Sequence, residues 1–223
     1  MKNSKIIVLD FETVGLDPYT TDPCQVGAVV IDKKTLTILP DVFESKMKPD
    51  PTLIDKSTLS WHAKLHKVSE EEIIQRWEDS PEQGLVFRQL ADFINRYNSN
   101  PAKPTAFGGP TMAGQNILNF DCHIFNRLCK KHKFVDKNGE QSLFNKRDRL
   151  DLLYLYDFWF ESLTEPKDYK LDTIRDYFGM SKLNAHDAKQ DVIDCARILI
   201  KFYKLHRSIA PKVKFKGCCQ DEI

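Results

Sequence analysis

The stretch KIIVLDFET, residues 5–13, decides the fold and is also the first indication of function. Its first half is apolar and β-branched, which is typical of a buried strand, and Asp10 ends the apolar run. Side chains two positions apart on a strand point to the same side of the sheet, so Asp10 and Glu12 project into one space. Carboxylates this close repel each other unless a cation joins them. Taken alone, the pair is more typical of a strand that ends in a polar turn than of a metal site.

The segments around this stretch predict a single α/β domain. Apolar runs at 25–32 and 36–43, separated by a Lys33-Lys34 turn, extend the first strand into a three-stranded meander. Strands then alternate with helices, which favours one α/β domain over separate all-β and all-α units. Helices are predicted near 57–65, in 69–79, from Pro81 to Tyr97, and in 120–132, 171–178 and about 187–205, with short strands at 105–107 and 112–115 and an apolar segment at 150–156.

Length and composition exclude several classes of protein. The chain has 223 residues, of which 41% are hydrophobic and 29% charged, which argues against collagen, coiled coil and general disorder. The first apolar run, residues 6–9, is too short for a signal peptide or a membrane span, so we expect a cytoplasmic protein with no membrane partner. The cysteines have no CxxC pairing and are predicted to be free thiols, mostly buried: Cys24, Cys122, Cys129, Cys195, Cys218 and Cys219.

Two more acidic residues and a histidine lie near predicted strand ends and helix starts, as the first pair does. Asp121 follows a short strand at the start of a helix, and Asp191 lies one turn into the last helix, five residues after His186. Each has an ordinary explanation: acids favour helix N-termini, and His186 fits a helix cap region. Together with Asp10 and Glu12, however, they form a set of hard oxygen ligands suited to Mg²⁺ or Mn²⁺. Two such ions support phosphodiester hydrolysis, and a histidine accepts the proton of the attacking water near neutral pH.

The order of these motifs resembles a known family. The chain is similar in this respect to the DEDDh branch of the DnaQ-like 3′→5′ exonuclease superfamily. The three matching motifs, in order, are Asp10-Phe-Glu12-Thr13, Asn116-x3-Phe120-Asp121 and His186-x4-Asp191. The resemblance spans residues 5 to about 202. It implies a ribonuclease H-like fold, with a mixed five-stranded sheet flanked by helices. It also implies an exonuclease domain at 1–207 and a basic C-terminal tail at 208–223.

The resemblance implies a role for each matched residue. Asp10, Glu12 and Asp191 would hold one Mg²⁺, and Asp10 and Asp121 a second, with Mn²⁺ as a substitute. His186 would be the general base. A tyrosine in place of this histidine, as in a sister branch, would stand at position 187, where this chain has Asp187. We interpret Asp187 and Asp194 as surface residues.

Four residues are candidates for substrate binding. In the family, the segment after the first motif holds the terminal nucleotide, which implies this role for Thr13 and a wedge role for Leu16; ordinary loop packing is an equal alternative for Leu16. Trp61 lies in Thr58-x-x-Trp61, which resembles phage exonucleases of the DexA type, and either stacks on a base or anchors a short helix. Asn116 stands one residue further from Phe120 than in many proofreading subunits, which leaves its role open.

Charge alone does not identify a partner, because the formal net charge is +1. Its distribution is uneven: residues 127–149 carry eight basic and three acidic side chains, and residues 201–216 carry six basic and none acidic. Such runs are usually solvated faces, but they could also follow a phosphate backbone. The expected partner is the 3′ end of a single-stranded nucleic acid, with a homodimer or a polymerase or repair protein as further options.

The function that combines these features is a 3′→5′ exonuclease that releases nucleoside 5′-monophosphates. The DexA-like segment favours DNA, while an exoribonuclease of the same family remains an alternative. A second alternative, from another class, is a catalytically silent nucleic-acid-binding accessory module. The complete set of acids argues against that module, since a scaffold gains nothing from carboxylates that repel one another.

Overall fold

The computed structural model describes residues 3–105, 107–182 and 187–213. Five strands form one sheet, and helices cover both of its faces. The strands are β1 (Lys5–Thr13), β2 (Pro23–Asp32), β3 (Thr37–Lys46), β4 (Thr111–Gly114) and β5 (Arg149–Asp151). The helices are α1 (Lys56–His66), α2 (Glu70–Glu78), α3 (Gln83–Asn95), α4 (Asp121–Lys131), α5 (Leu152–Phe160), α6 (Leu171–Tyr177) and α7 (Ala188–Ile209), with 3₁₀ turns at Pro51–Leu53 and Ala210–Lys212.

The sheet is mixed, in the order β3-β2-β1-β4-β5. The first three strands form the expected antiparallel meander, and β1 pairs in parallel with β4, which pairs in parallel with β5. Because parallel strands end at the same edge, the carboxyl ends of β1, β4 and β5 lie together. The predicted fold class, a mixed five-stranded α/β sheet flanked by helices, is confirmed.

The central strand β1 is buried on both faces, which explains its unbroken apolar run. Ile7 and Leu9 face a core that they share with α3 and α4, while Ile6 and Val8 face a second core formed with α5 and α7. A third, smaller core lies under α1 and α2 and includes Trp77. This third core includes Val14, so apolar packing continues directly beyond the end of β1.

Most predicted elements are present within three residues of their predicted bounds, with three larger differences. Residues 105 and 107 are not in a strand, and residue 106 lies outside the described residues. The apolar segment at 150–156 divides into β5 and the start of α5, where the Asp151 side chain accepts a hydrogen bond from the Leu153 amide and caps the helix. The last helix, α7, continues to Ile209, four residues beyond the predicted end.

Among the described residues the cysteines are free thiols, as predicted: Cys24, Cys129 and Cys195 are buried and Cys122 is half-buried. Cys218 and Cys219 lie outside the described residues. No helix in the described part of the chain is both long enough and apolar enough to span a bilayer.

Candidate active site

Three predicted acids meet at the carboxyl end of β1. Asp10 and Glu12 project from β1, and Asp191 projects from the first turn of α7. One carboxylate oxygen from each lies within 4.8 Å of the others. We call Asp10, Glu12 and Asp191 the acidic cluster.

Asp121 joins this edge from the opposite side. It begins α4, and its Oδ1 accepts a hydrogen bond of 3.0 Å from the backbone amide of Phe11, the residue between Asp10 and Glu12. The side chain is buried, with 3% of its surface exposed. All four acids of the predicted set therefore lie at one edge of the sheet.

Burial and mutual repulsion raise the pKa values of these carboxyl groups. Burial first, and then the negative charge of Asp191, raises the pKa of Asp10 from 3.8 to about 7, while the Arg175 guanidinium acts in the opposite direction. The pKa of Glu12 is raised well above its usual value by burial and then by Asp10. Burial, followed by Asp10, also raises the pKa of Asp121, although the Phe11 amide opposes this shift. The site therefore disfavours its own full ionisation unless a cation is present.

Gly27 allows α7 to approach the sheet closely enough to complete the cluster. It lies on β2, opposite Asp10 in the β-ladder. A Cβ atom at this position would lie 2.3 Å from the carbonyl oxygen of Ala188, the first residue of α7. Only a residue without a side chain permits this approach, and Asp191 is one turn further along the same helix.

Arg175 lies behind the acidic cluster and was not predicted to have a role. Among the described residues it is the largest fully buried side chain, and it donates hydrogen bonds to Asp191 Oδ1 at 2.6 Å and to Asp194 Oδ2 at 3.0 Å. The prediction that Asp194 is a surface residue was wrong, because its side chain is only 1% exposed and pairs with Arg175. Asp187 is half-buried rather than fully exposed: it caps α7 and accepts a hydrogen bond from Gln25 Nε2. A buried arginine has no periodic signature, so nothing in the sequence pattern singled it out.

A cavity of about 440 Å³ opens beside Glu12. Its lining includes the candidate substrate residues Thr13, Leu16 and Trp61, together with Phe120. Leu16 is 78% exposed and Trp61 is 41% exposed, so neither is an interior core residue. Thr13 is buried, and its hydroxyl donates to the carbonyl of Gly15, which fixes the turn that carries Leu16.

The remaining predicted residues lie elsewhere or outside the described structure. Asn116 adopts a left-handed conformation (φ 53°), and its carbonyl accepts hydrogen bonds from the amides of Asn119 and Phe120. It therefore shapes the loop that leads into α4. His186 lies outside the described residues, immediately before Asp187.

Comparisons with known proteins agree with this architecture. No protein-family model matches the chain. Among curated proteins, it is similar to the PolC-type DNA polymerase III of Caldanaerobacter subterraneus, at 27% identity over 93% of this chain, and to that of Thermotoga petrophila, at 22% over 93%. Among solved structures, it superposes on exonuclease I from Methylocaldum szegediense (TM-score 0.65, 17% identity, 93% of this chain) and on E. coli exonuclease I with a dT13 oligonucleotide (TM-score 0.66, 16%, 94%). The chain has the fold of the DnaQ-like exonucleases.

The DnaQ-like fold was the prediction made from the three motifs, and it is confirmed. The chain spans 12% of each PolC-type polymerase and 41% and 43% of the two exonuclease I chains. It therefore matches one portion of these longer proteins.

The residues at the edge of this DnaQ-like sheet suit divalent cations. The donors are carboxylate oxygens, which Mg²⁺ and Mn²⁺ prefer, and those of the acidic cluster are close enough to share one ion. Asp121, hydrogen-bonded to the strand between Asp10 and Glu12, offers a further carboxylate beside them. Burial and the neighbouring carboxylates raise the pKa values of Asp10, Glu12 and Asp121, and a bound divalent cation would favour their ionised forms.

Proposed function

We propose that this protein is a divalent-metal-dependent 3′→5′ exonuclease. It hydrolyses phosphodiester bonds from the 3′ end of single-stranded nucleic acid, with DNA favoured, and releases nucleoside 5′-monophosphates. The observation that carries the proposal is the acidic cluster, whose three carboxylates come within 4.8 Å of one another at the end of the central strand. Asp121, buried beside them, completes the four-acid set.

The proposed cofactor is a pair of Mg²⁺ ions, for which Mn²⁺ can substitute. Asp10, Glu12 and Asp191 would hold the first ion, and Asp10 and Asp121 would hold the second. When bound, such a pair activates water and stabilises the leaving oxygen in an in-line displacement at phosphorus. A zinc-bound complex with single-stranded DNA is known for E. coli exonuclease I, which has the same fold, and this supports a divalent cation as the cofactor.

His186 is the proposed general base. In the sequence it directly precedes Asp187, the residue that caps α7, and α7 carries Asp191. General-base catalysis typically contributes a factor of about 10² to 10⁴ to a rate. We expect His186→Ala to lower kcat by that factor while Mn²⁺ binding to the four acids persists. Equal losses of binding and rate would instead indicate a ligand or structural role.

The cavity beside Glu12 is the proposed site of the terminal nucleotide. Leu16 and Trp61 supply exposed apolar surface at its mouth, where a base can stack. Thr13 fixes the turn beneath, and Asn116 holds the loop before Asp121. Structures of E. coli exonuclease I with dT13 and dA16 oligonucleotides favour DNA as the substrate.

A matched pair of substitutions tests the proposal. Glu12→Gln removes one charge from the acidic cluster, and Glu161→Gln makes the same change at an exposed position beyond the end of α5. Purified full-length protein is incubated with Mg²⁺ and 5′-labelled single-stranded DNA or RNA of one sequence. We expect stepwise shortening from the 3′ end that Glu12→Gln and EDTA abolish and Glu161→Gln preserves.

The same assay separates the alternatives. Faster digestion of RNA than of DNA would replace the proposed substrate by that of an exoribonuclease. Absence of shortening in wild-type protein, together with retained binding of the oligonucleotide, would favour a silent accessory module. Activity that survives Glu12→Gln would remove the acidic cluster from the mechanism.

A further inference from the structure

Arg175 connects three acids that come from two helices. Besides Asp191 and Asp194 on α7, it donates from Nη1 to Asp172 Oδ1 at 3.0 Å on its own helix, α6. Nε is used for Asp194 and Nη2 for Asp191, so each acid contacts a different nitrogen of one rigid, planar group. The guanidinium is thus held in one orientation.

Asp194 anchors this arrangement from behind. In addition to Arg175 Nε, its carboxylate accepts hydrogen bonds from Gln190 Nε2 at 2.9 Å and Arg197 Nη1 at 3.3 Å. Its side chain is 1% exposed, like that of Arg175. Asp191 and Asp194 are three residues apart and so lie on the same face of α7, which lets one guanidinium reach both.

We propose that Arg175, anchored by Asp194, is a positioning residue that presets the Asp191 carboxylate for binding the catalytic divalent ion. This inference rests on the proposed function and adds a residue that none of the three motifs contains. A carboxylate has two oxygens and several lone-pair sites, so binding of Oδ1 by Arg175 leaves acceptor capacity for a metal. Outer partners of metal ligands commonly contribute about 10- to 100-fold to metal affinity in this way.

Replacement of Arg175 should change the metal affinity in opposite directions, depending on whether the residue acts by orienting Asp191 or only through its positive charge. A positive guanidinium next to a cation site repels the incoming ion, so removal of the charge alone should tighten metal binding. If Arg175 acts by orientation, its removal should weaken binding despite the favourable change in charge. The direction of the change therefore identifies the mechanism.

The experiment compares three variants of the full-length protein by calorimetric titration with Mn²⁺. Arg175→Lys keeps the positive charge but lacks the planar fork that reaches three acids. Arg175→Met removes the charge. Ile174→Ala, at the adjacent and fully buried position of α6, is a control that loosens the same helix without touching the guanidinium. Thermal unfolding of each variant gives its stability in parallel.

We expect both Arg175 variants to bind Mn²⁺ about 10- to 100-fold more weakly than wild type, and Ile174→Ala to bind it normally despite a lower Tm. Arg175→Lys decides the test if Arg175→Met does not fold. The inference would be overturned if Arg175→Lys bound Mn²⁺ as tightly as the wild-type protein, or if Arg175→Met bound it more tightly. The proposed function would still stand in either case, provided that the wild-type protein itself binds Mn²⁺. A wild-type protein that binds no Mn²⁺ would overturn both.

Discussion

A single methyl group at Gly27 should separate Asp191 from the other two residues of the acidic cluster, Asp10 and Glu12. Gly27 lies opposite Asp10 on the neighbouring strand, and the first residues of α7 pass directly over it. In Gly27→Ala, the new Cβ would lie 2.3 Å from the carbonyl oxygen and 2.5 Å from the carbonyl carbon of Ala188. These are backbone atoms, so rotation of a side chain cannot relieve the overlap.

The required displacement follows from these distances. Ordinary contact begins at 3.4 Å, so α7 must move away from β2 by about 1 Å at Ala188. Asp191 lies one turn further along and moves with it, away from Asp10. Overpacking of this kind costs about 1–3 kcal/mol of stability, and a misplacement of about 1 Å at a reacting centre costs about 10² in rate. We expect losses of both sizes in Gly27→Ala.

The measurement is the rate of digestion of labelled single-stranded DNA with saturating Mg²⁺, together with urea unfolding of the same samples. Gly84→Ala is the matched control: Gly84 lies within α3, where a Cβ meets only the ring of His132, at 3.2 Å. Alanine in a helix is favoured over glycine by about 0.5–1 kcal/mol, so this control should be active and no less stable. Gly27→Ala with wild-type activity and unfolding would refute the argument that α7 must touch the sheet here.

Two further predictions concern charge and substrate binding. The pKa of Asp10 is raised from 3.8 to about 7 in the folded chain. Between these pH values, the folded state binds a proton that the unfolded state lacks. The metal-free protein should therefore lose stability as the pH rises from about 4 through 7. Melting in EDTA across this range should show a smaller pH dependence for Asp10→Asn, and an unchanged slope would contradict the assignment. Trp61→Ala should weaken binding of a short single-stranded oligonucleotide by about 1–3 kcal/mol, whereas Leu85→Ala, an exposed residue of α3, should not. Fluorescence anisotropy in the Glu12→Gln background measures this without cleavage, and equal affinities would remove Trp61 from the binding site.

The strands of the sheet were predicted well where the sequence has a continuous apolar run or a short turn between two runs. β1 is a continuous apolar run because both of its faces are covered, and β2 and β3 follow it through a short turn. The segment at 150–156 was harder to interpret because α5 (LLYLYDFWF) is apolar almost all round, which hides its helical period. The informative residue was Asp151, a helix cap directly before the apolar run.

The candidate active site was predictable only in part, because two of its buried charged residues lie within helices. Asp10, Glu12, Asp121 and Asp191 stand at strand ends and helix starts, and chain order alone suggested that they meet. Arg175 and Asp194 stand within helices, where charged residues normally indicate a solvated face. Each helps to neutralise the other, because their charged groups pair at 3.0 Å and both side chains are only 1% exposed. Such pairing between two helices is visible only in three dimensions.

The site contains more buried carboxylates than buried positive charges, and this imbalance determines its electrostatics. One buried guanidinium, Arg175, serves Asp191 and Asp194, while burial and repulsion raise the pKa values of Asp10, Glu12 and Asp121. Two routes neutralise the remaining carboxylates: protonation or a divalent cation. With an Asp10 pKa of about 7, the proton is weakly held at neutral pH, and a divalent cation bound there would displace it. Because such a cation binds only the folded arrangement, its binding stabilises the fold by mass action. The acids that repel one another in the metal-free protein are therefore the same groups through which a metal ion would hold β1, α4 and α7 together.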